Sequence, residues 1–299
     1  MLGLPDEFTS DFLARLEQLR IKTRREYAGQ GKGSHLSPRR GSSLEFADYR
    51  HYTPGDDFRY IDWSLYGRSD KLYIKLFKEE EDLLTYIFVD ASASMGLPAG
   101  DRKFTAAVTI ALALAYVALS SGDRVMVRML AGSGKKTAPA FVTGRHRIVE
   151  LARQLIGIKP GGQLDFAPEL ARELAALKRA GKVFVISDFQ MMFNSISQAM
   201  GLFVASNMDA TAVQVLGGGE LGAGELEGDV EVVDCETGER LRVAMSRRSR
   251  EQYRTTLMRL SREIRAMCLQ RGLRYTLYTT DHSFQDFFIR AVTELGLVH

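Results

Sequence analysis

The stretch "YIFVDASASMG" (Tyr86–Gly96) decides the fold of this chain. Its first half is an apolar run typical of a strand buried on both faces, and the run ends on Asp90, followed by Ser92 and Ser94. Strands of this kind belong to parallel sheets that helices cover on both sides. In an open parallel sheet, ligands bind outside the carboxyl ends of the strands. The stretch therefore predicts a strand of an α/β sheet with a polar site at its end.

The chain after residue 80 alternates between strand-like and helix-like segments. The predicted strands are 83–90, 123–132, 138–144, 182–189, 209–217 and 273–281, and the predicted helices are 102–122, 145–158, 166–181, 194–207, 247–271 and 283–296. This alternation predicts an α/β fold with a doubly wound, mostly parallel sheet. A β-hairpin with Gly238 in its turn is expected as an insertion at about 229–245.

The first 80 residues break this rhythm. A helix is expected within 5–23, and a glycine-rich basic tract follows it. We expect residues 1–80 to form a small N-terminal lobe and residues 81–299 to form the α/β domain. One aromatic residue, Tyr27, accompanies the basic side chains, so a solvated tail or partner-docking arm is favoured over nucleic-acid binding. These side chains are Arg20, Lys22, Arg24, Arg25, Lys32, Arg39 and Arg40.

Composition narrows the class of protein. The 299 residues carry a formal net charge of +3 and two cysteines without CxxC spacing, which argues against a disulfide framework or a zinc site. The N-terminal sequence has no basic start and apolar core of the secretory kind. The most apolar segment, 106–119, is shorter than the roughly 20 residues that span a bilayer. We expect a cytoplasmic protein with no membrane span.

A second aspartate ends another strongly apolar strand. Asp188 closes "VFVISDF", and right-handed crossovers place its strand end on the same sheet edge as Asp90. Two carboxylates and the hydroxyls of Ser92 and Ser94 are oxygen ligands that suit Mg²⁺ or Mn²⁺. The alternative is that Asp90 and the serines only cap the following helix.

The spacing of Asp90, Ser92 and Ser94 resembles the Asp-x-Ser-x-Ser motif of von Willebrand factor type A domains, a metal-ion-dependent adhesion site. The resemblance implies that both serines bind the ion directly and that Asp188 helps through water. It also implies that an acidic residue of a partner protein fills the open position of the ion.

The segment 45–81, with Pro54-Gly55-Asp56-Asp57 and Ile61-Asp62-Trp63, closely resembles the signature of the bacterial domain-of-unknown-function family 58. The resemblance covers about residues 30–299. It implies a type A-like domain in a non-enzymatic interaction module. That module would work with a MoxR-type AAA+ ATPase, or with a client of the ATPase, in complex assembly or remodelling.

One loop departs from the type A pattern. The family usually supplies a threonine ligand where this chain reads "GGQLDFAPEL". Leu164 takes the threonine's place when the helices are aligned, and Gln163 does when the glycines are aligned. Gln163 offers a carbonyl oxygen, and Asp165 is close enough to substitute. The resemblance thus implies a Mg²⁺ or Mn²⁺ site that is weakened or lost.

The stretch "PGDDFRYIDW" (54–63) predicts a turn, a capped helical turn and a cluster of charges. Arg59 is expected to pair with Asp62 or another nearby acid. One interpretation is an interaction surface formed by Asp56, Asp57, Arg59 and Asp62. The other is a folded plug that packs the N-terminal segment onto the main domain, which we favour for Trp63 because a large aromatic side chain is usually buried.

Catalysis by a serine nucleophile would need a histidine base. Only His282 follows a strand end in a way that could bring it to the same edge, and no Gly-x-Ser-x-Gly elbow is present. The resemblance to type A domains, which mostly bind rather than catalyse, implies that the protein is not an enzyme. The alternative function is a metal-assisted hydrolase that uses Asp90 and Asp188.

Overall fold

The computed structural model describes residues 4–19, 21, 45–78, 83–130, 141–222, 228–233 and 240–296. The chain divides into two compact units: Met1–Glu26 with Leu83–His299, and Tyr27–Asp82. The basic side chains of the 20–40 tract, Cys235 and Gly238 of the predicted hairpin turn lie outside the described residues.

The strands are β1 (Glu45–His51), β2 (Tyr73–Lys78), β3 (Leu84–Asp90), β4 (Arg124–Leu130), β5 (Lys182–Ser187), β6 (Asp209–Leu216), β7 (Gly228–Val233), β8 (Arg240–Met245) and β9 (Arg274–Thr279). The helices are α1 (Ser10–Glu17), α2 (Trp63–Ser69), α3 (Lys103–Ser120), α4 (Ile148–Ile156), α5 (Phe166–Ala175), α6 (Phe193–Ala205), α7 (Gly218–Gly222), α8 (Arg247–Gln270) and α9 (Phe284–Glu294).

The larger unit contains a five-stranded parallel sheet in the order β4-β3-β5-β6-β9. Helices α1, α3, α4 and α9 pack on one face of this sheet, and α5, α6 and α8 pack on the other. The predicted doubly wound α/β fold is confirmed. The next two strands along the chain, β4 and β5, lie on opposite sides of β3. The strand order therefore reverses between β3 and β5, and sheets of this kind bind ligands at such a point.

Helix α3 is the central helix of the unit. Every residue from Ala107 to Leu119 is buried, because the sheet lies on one side of the helix and other helices lie on the other. The segment Ala99–Ser120 is long and apolar enough to span a membrane by composition, but 83% of its most apolar window is buried inside the unit. The predicted buried helix at 106–119 is therefore part of this core.

Helix α1 belongs to the larger unit and not to a lobe formed by residues 1–80. Its apolar stripe, with Phe12 and Leu16, is buried in the same core as α3. The ring of Phe12 lies edge-on to Phe284 at 5.7 Å and to Phe288 at 6.0 Å. The predicted boundary at residue 80 placed this helix wrongly, because a short amphipathic helix is stable only where its apolar side is covered.

The smaller unit consists of an antiparallel pair, β1 and β2, with a register shift between Phe46 and Asp48, together with the short helix α2. Trp63 begins α2 and is 61% exposed, so the prediction that it is buried was wrong. None of the α2 residues is buried. A two-stranded sheet and two turns of helix offer too little surface to cover an indole.

Two other segments differ from the predictions. Within the described part of 138–144, Val142 forms an isolated antiparallel bridge to Val125 and not a sheet strand. The glycine-rich loop after β6 contains the short helix α7. The predicted hairpin insertion is present as the antiparallel pair β7 and β8.

Candidate functional site

Asp90 and Ser187 join the two central strands at their carboxyl ends. The Ser187 hydroxyl donates a 2.6 Å hydrogen bond to Asp90 Oδ2, and the backbone N–H of Ser92 donates one of 2.8 Å to Asp90 Oδ1. Asp90, Ser92 and Ser187 are fully buried. Ser94 is partly buried, and its Oγ lies 3.0 Å from the Oγ of Ser92.

The environment of Asp90 favours its neutral form. Burial raises the pKa of the Asp90 carboxyl to about 6, and the negative charge of Asp188 adds to this effect. The hydrogen bonds from Ser187 and Ser92 act in the opposite direction. Burial prevails because a carboxylate loses more hydration energy than neutral donors restore.

Asp188 follows β5 directly and accepts a hydrogen bond from a buried ammonium. Lys103 Nζ lies 2.9 Å from Asp188 Oδ2 and 2.6 Å from Glu220 Oε1. All three side chains are buried. Burial opposes the charge of Lys103, but the carboxylates of Asp188 and Glu220 outweigh it and raise the pKa of Lys103. The three groups form a buried ion cluster at the carboxyl edge of the sheet.

Glu220 is held in place by Asp101. The Asp101 carboxylate accepts hydrogen bonds from the backbone N–H groups of Gly219 at 2.9 Å and Glu220 at 3.0 Å. Glu220 Oε2 accepts a bond of 2.9 Å from the N–H of Gly217. A Cβ atom on Gly217 would lie 1.8 Å from Asp101 Oδ2, so this close approach requires glycine.

Two glutamines complete the polar network. The Gln190 side chain donates to Glu220 Oε1 at 3.0 Å, and its backbone N–H donates to Asp188 Oδ1 at 3.1 Å. Gln214 Nε2 donates to the Asp188 carbonyl at 2.8 Å. Each carboxylate of the cluster thus has several donors, which is the condition for burying charge without large cost.

Gln163 and Asp165, the residues expected to replace the threonine ligand, are not part of this network. Gln163 and Asp165 are exposed, in the loop that precedes α5. The backbone of that loop does reach the site, because Gly161 N–H donates to the Ala91 carbonyl at 2.8 Å. The carboxylates of Asp90 and Asp188 are bonded to the donors described above and to neither of these side chains.

The residues present do not fit a divalent ion. The ammonium of Lys103 occupies the position beside Asp188, both oxygens of Asp90 accept hydrogen bonds, and Leu164 packs against the core. Among the residues that the structure describes, no three carboxylate, imidazole or thiol groups converge as a metal-binding group. The sheet edge brings Asp90, Ser92, Ser94 and Asp188 together, but as a network with protein donors.

Residues 48–263 match the family described as "Protein of unknown function DUF58". The chain belongs to this family. The "Uncharacterized protein Rv1480" of Mycobacterium tuberculosis is 27% identical over 229 residues, which are 75% of this chain and 71% of that protein. The "Uncharacterized protein Mb1516" of Mycobacterium bovis gives the same figures.

Solved structures also resemble this DUF58 chain. An aerotolerance-related membrane protein of Bacteroides fragilis, with multiple mutations to serines, is similar with a TM-score of 0.44 and 12% identity, over 71% of this chain and 98% of that one. The conserved hypothetical protein BatB of Bacteroides thetaiotaomicron has a TM-score of 0.41 and 11% identity, over 72% and 98%.

Exposed apolar side chains follow both strands that meet at the site. Leu97 lies in the loop after β3 and is 47% exposed, and Met192 lies in the loop after β5 and is 78% exposed. Phe193, the first residue of α6, is 36% exposed. Both loops leave the sheet at its carboxyl edge. This DUF58 domain therefore carries large exposed apolar side chains in the segments that follow β3 and β5, and we call these three residues the apolar rim.

The predicted interaction surface of the DUF58 smaller unit divides into two parts. Asp62 is buried and is the cap of α2, with bonds from the N–H groups of Ser64 and Leu65 and from the Tyr49 hydroxyl. Asp62 is therefore not part of an exposed interaction surface, because its two carboxylate oxygens are engaged by the first turn of α2 and by Tyr49 in a buried position.

Asp56, Asp57 and Arg59 remain near the surface. Arg59 forms a bidentate pair with Asp57, with Nε 3.1 Å from Oδ1 and Nη2 2.6 Å from Oδ2. Arg50 donates to Asp56 at 2.8 Å and, with Thr53, lowers the pKa of Asp56 to about 2. Each acid stabilises the turn from Thr53 to Tyr60, so these groups have local partners before any external one.

Sequence reasoning missed Lys103, Glu220 and Ser187. A signal for Lys103 was present, because a lysine that begins an otherwise apolar helix lies at the end where the helix dipole disfavours a cation. Such a residue needs an acidic partner. Nothing nearby in the sequence identifies that partner, since Asp188 and Glu220 are 85 and 117 residues away.

Proposed function

We propose that this DUF58 protein is a non-enzymatic interaction module that docks a partner protein on the carboxyl edge of its parallel sheet. The partner we propose is a MoxR-type AAA+ ATPase or a client of that ATPase, met in the cytoplasm during complex assembly or remodelling. The observation that carries the docking surface is the apolar rim of Leu97, Met192 and Phe193 beside the switch point of the sheet.

The rim suits a protein partner better than a small polar ligand. A methionine with 78% of its surface exposed leaves much apolar area in water. Methionine and aromatic side chains are enriched in protein interfaces, where apolar centres are surrounded by polar groups. Here Ser94 and the loop from Gly161 to Asp165 supply polar groups beside the rim. The choice of ATPase rests on the resemblance of segment 45–81.

The hydrogen bonds of the site also favour binding over catalysis. Ser92 and Ser94 are paired with each other. His282 Nδ1 lies 2.6 Å from Thr279 Oγ1 and 2.8 Å from Asp281 Oδ1, so its bonds are made on its own loop. The metal-assisted hydrolase has less support, because the Asp188 carboxylate it requires is engaged by Lys103.

The test is a binding measurement with a purified MoxR-type ATPase. Met192→Asp should weaken binding at least tenfold, because it places a charge on the most exposed residue of the apolar rim. The matched control is Leu269→Asp. Leu269 is 58% exposed, but it lies at the end of α8 that leads to the amino end of β9.

The control should leave the affinity unchanged. Circular dichroism and thermal unfolding would show that both variants fold. Equal affinity of the wild type and Met192→Asp would reject the docking surface. Absence of binding by the wild-type protein would reject this ATPase as the partner.

A further inference from the structure

The buried cluster of Lys103, Asp188 and Glu220 holds a positive charge that belongs to the chain itself. We infer that the Lys103 ammonium takes the place of a divalent cation at this edge. The edge is therefore complete without Mg²⁺ or Mn²⁺, and removal of the ammonium creates a divalent-cation site between Asp188 and Glu220. This inference concerns metal binding and is independent of the proposed partner.

The geometry around Lys103 Nζ is the first support. Two carboxylate oxygens from different parts of the chain, Asp188 Oδ2 and Glu220 Oε1, converge on this one nitrogen at 2.9 and 2.6 Å. The three side chains are buried, so solvent screens their interaction little. Two carboxylates that converge on one point, together with water, are a common way to hold Mg²⁺ or Mn²⁺. In this chain a lysine fills that point.

The charges give the second support. A divalent ion next to Asp188 would also lie next to the ammonium of Lys103, and the two cations would repel each other strongly in a buried environment. The carboxylates of Asp188 and Glu220 would attract the ion less, because the charge of Lys103 already neutralises part of theirs. With the ammonium removed, Asp188 and Glu220 would carry two uncompensated negative charges, which match the charge of one divalent ion.

The third support is that protein hydrogen bonds hold the carboxylates near Lys103 in place. Gln190 donates to the same oxygen of Glu220 that Lys103 contacts, and Asp101 fixes the backbone of Glu220. Asp90 accepts from Ser187 and Ser92 and does not need a cation to satisfy its oxygens. The network is satisfied by donors that the chain carries on its own elements.

The experiment is a Mn²⁺ titration of the full chain, with unbound Mn²⁺ followed by electron paramagnetic resonance. Wild type should show no saturable binding that depends on Asp188. Lys103→Met, which keeps the length of the side chain and removes its charge, should bind one Mn²⁺ per chain at least tenfold more tightly. Mg²⁺ should compete for that site.

Two further variants separate the charge from other effects. Lys103→Arg keeps a cation and should behave as the wild type does. Lys103→Met with Asp188→Asn should lose the gained binding, because one of the two carboxylates is gone. Thermal unfolding gives an independent measurement: Mn²⁺ should raise the melting temperature of Lys103→Met and leave that of the wild type unchanged.

Two results would overturn the inference. One is saturable Mn²⁺ binding by the wild type that Asp188→Asn abolishes. The other is a folded Lys103→Met that binds no more tightly than the wild type. Should Lys103→Met not fold, Lys103→Gln replaces it, since glutamine keeps an N–H donor without the charge. Should neither variant fold, the wild-type and Asp188→Asn titrations decide whether the edge needs a metal.

Discussion

Ser187 donates a 2.6 Å hydrogen bond to Asp90, and this contact links β5 to β3 where both strands end. The next residue, Asp188, pairs instead with the ammonium of Lys103. Two buried carboxylates of one sheet edge therefore have different kinds of partner. Asp188 faces a full positive charge, whereas Asp90 receives only neutral donors. Burial and the negative charge of Asp188 raise the pKa of Asp90 above its ordinary value.

Asp90 should make stability depend on pH in a definite direction. Its folded-state pKa of about 6 is above its ordinary value of 3.8, so the folded protein retains a proton that the unfolded chain loses as the pH rises between these values. Asp90 thus favours folding at low pH and opposes it once the pH passes about 6. Asp90→Asn mimics the neutral form and lacks this dependence.

The free energy of unfolding of Asp90→Asn relative to wild type should therefore increase from about pH 4 to about pH 7, by on the order of 1 to 3 kcal/mol. Urea unfolding of both proteins across this range measures it. A difference that stays constant with pH would mean that Asp90 is not the group that takes up the proton.

Lys103→Met should be strongly destabilising in the absence of divalent ions. Removing one partner of a buried ion cluster leaves uncompensated charge, and the expected loss is about 3 to 5 kcal/mol of unfolding free energy. Arg147→Met is the matched control, because Arg147 pairs with Glu150 at an exposed position and should contribute less than about 1 kcal/mol.

The triple variant Lys103→Met, Asp188→Asn, Glu220→Gln should recover much of the stability that Lys103→Met loses, since no charge remains in this cluster. Urea unfolding of the wild type, Lys103→Met, Arg147→Met and the triple variant measures these differences. A small loss in Lys103→Met alone would show that water reaches the cluster.

Gly217→Ala should disturb the support of Glu220. The added Cβ would lie 1.8 Å from the Asp101 carboxylate, so Asp101 must move and release its bonds to Gly219 and Glu220. We expect a loss of about 1 to 3 kcal/mol. Gly100→Ala is the control, because Gly100 has open space around its Cβ position. Thermal unfolding distinguishes the two, and equal effects would refute the close contact.

Trp63 is the only tryptophan, so intrinsic tryptophan fluorescence reports on it alone. With 61% of its surface exposed, its emission should be close to that of indole in water and acrylamide should quench it efficiently. Guanidinium should change the emission maximum little. A blue-shifted maximum that moves on unfolding would instead support the buried tryptophan that the sequence predicts.

The sheet and the location of its edge site could be predicted from the sequence, because both depend on local signals. Apolar runs ending on Asp90 and Asp188 indicate two buried parallel strands, and the direction of parallel strands then fixes where those aspartates meet. The cluster around Lys103 could not be predicted in the same way. Its contacts join three distant segments, and the choice of acidic partner depends on tertiary packing.

The two clearest misplacements have a common cause. Helix α1 was assigned to the N-terminal lobe because of its position in the sequence, and Trp63 was expected to be buried because large aromatic side chains usually are. Amphipathic spacing shows that Phe12 and Leu16 need a core, but it does not show which core. Likewise a large indole is usually buried, but the smaller unit has too few helices and strands to bury Trp63. The sequence pattern indicates which side chains tend to be buried, but it does not show which elements are present to bury them.

The contact of Phe12 with Phe284 and Phe288 has a consequence for synthesis of the protein. Helix α1 precedes α9 in the chain by all the other helices and strands of the larger unit, so it leaves the ribosome well before α9. The apolar stripe of α1 cannot be fully covered until α9 has been translated. During that interval the stripe is available to chaperones, and completion of the larger unit waits for α9 to reach α1.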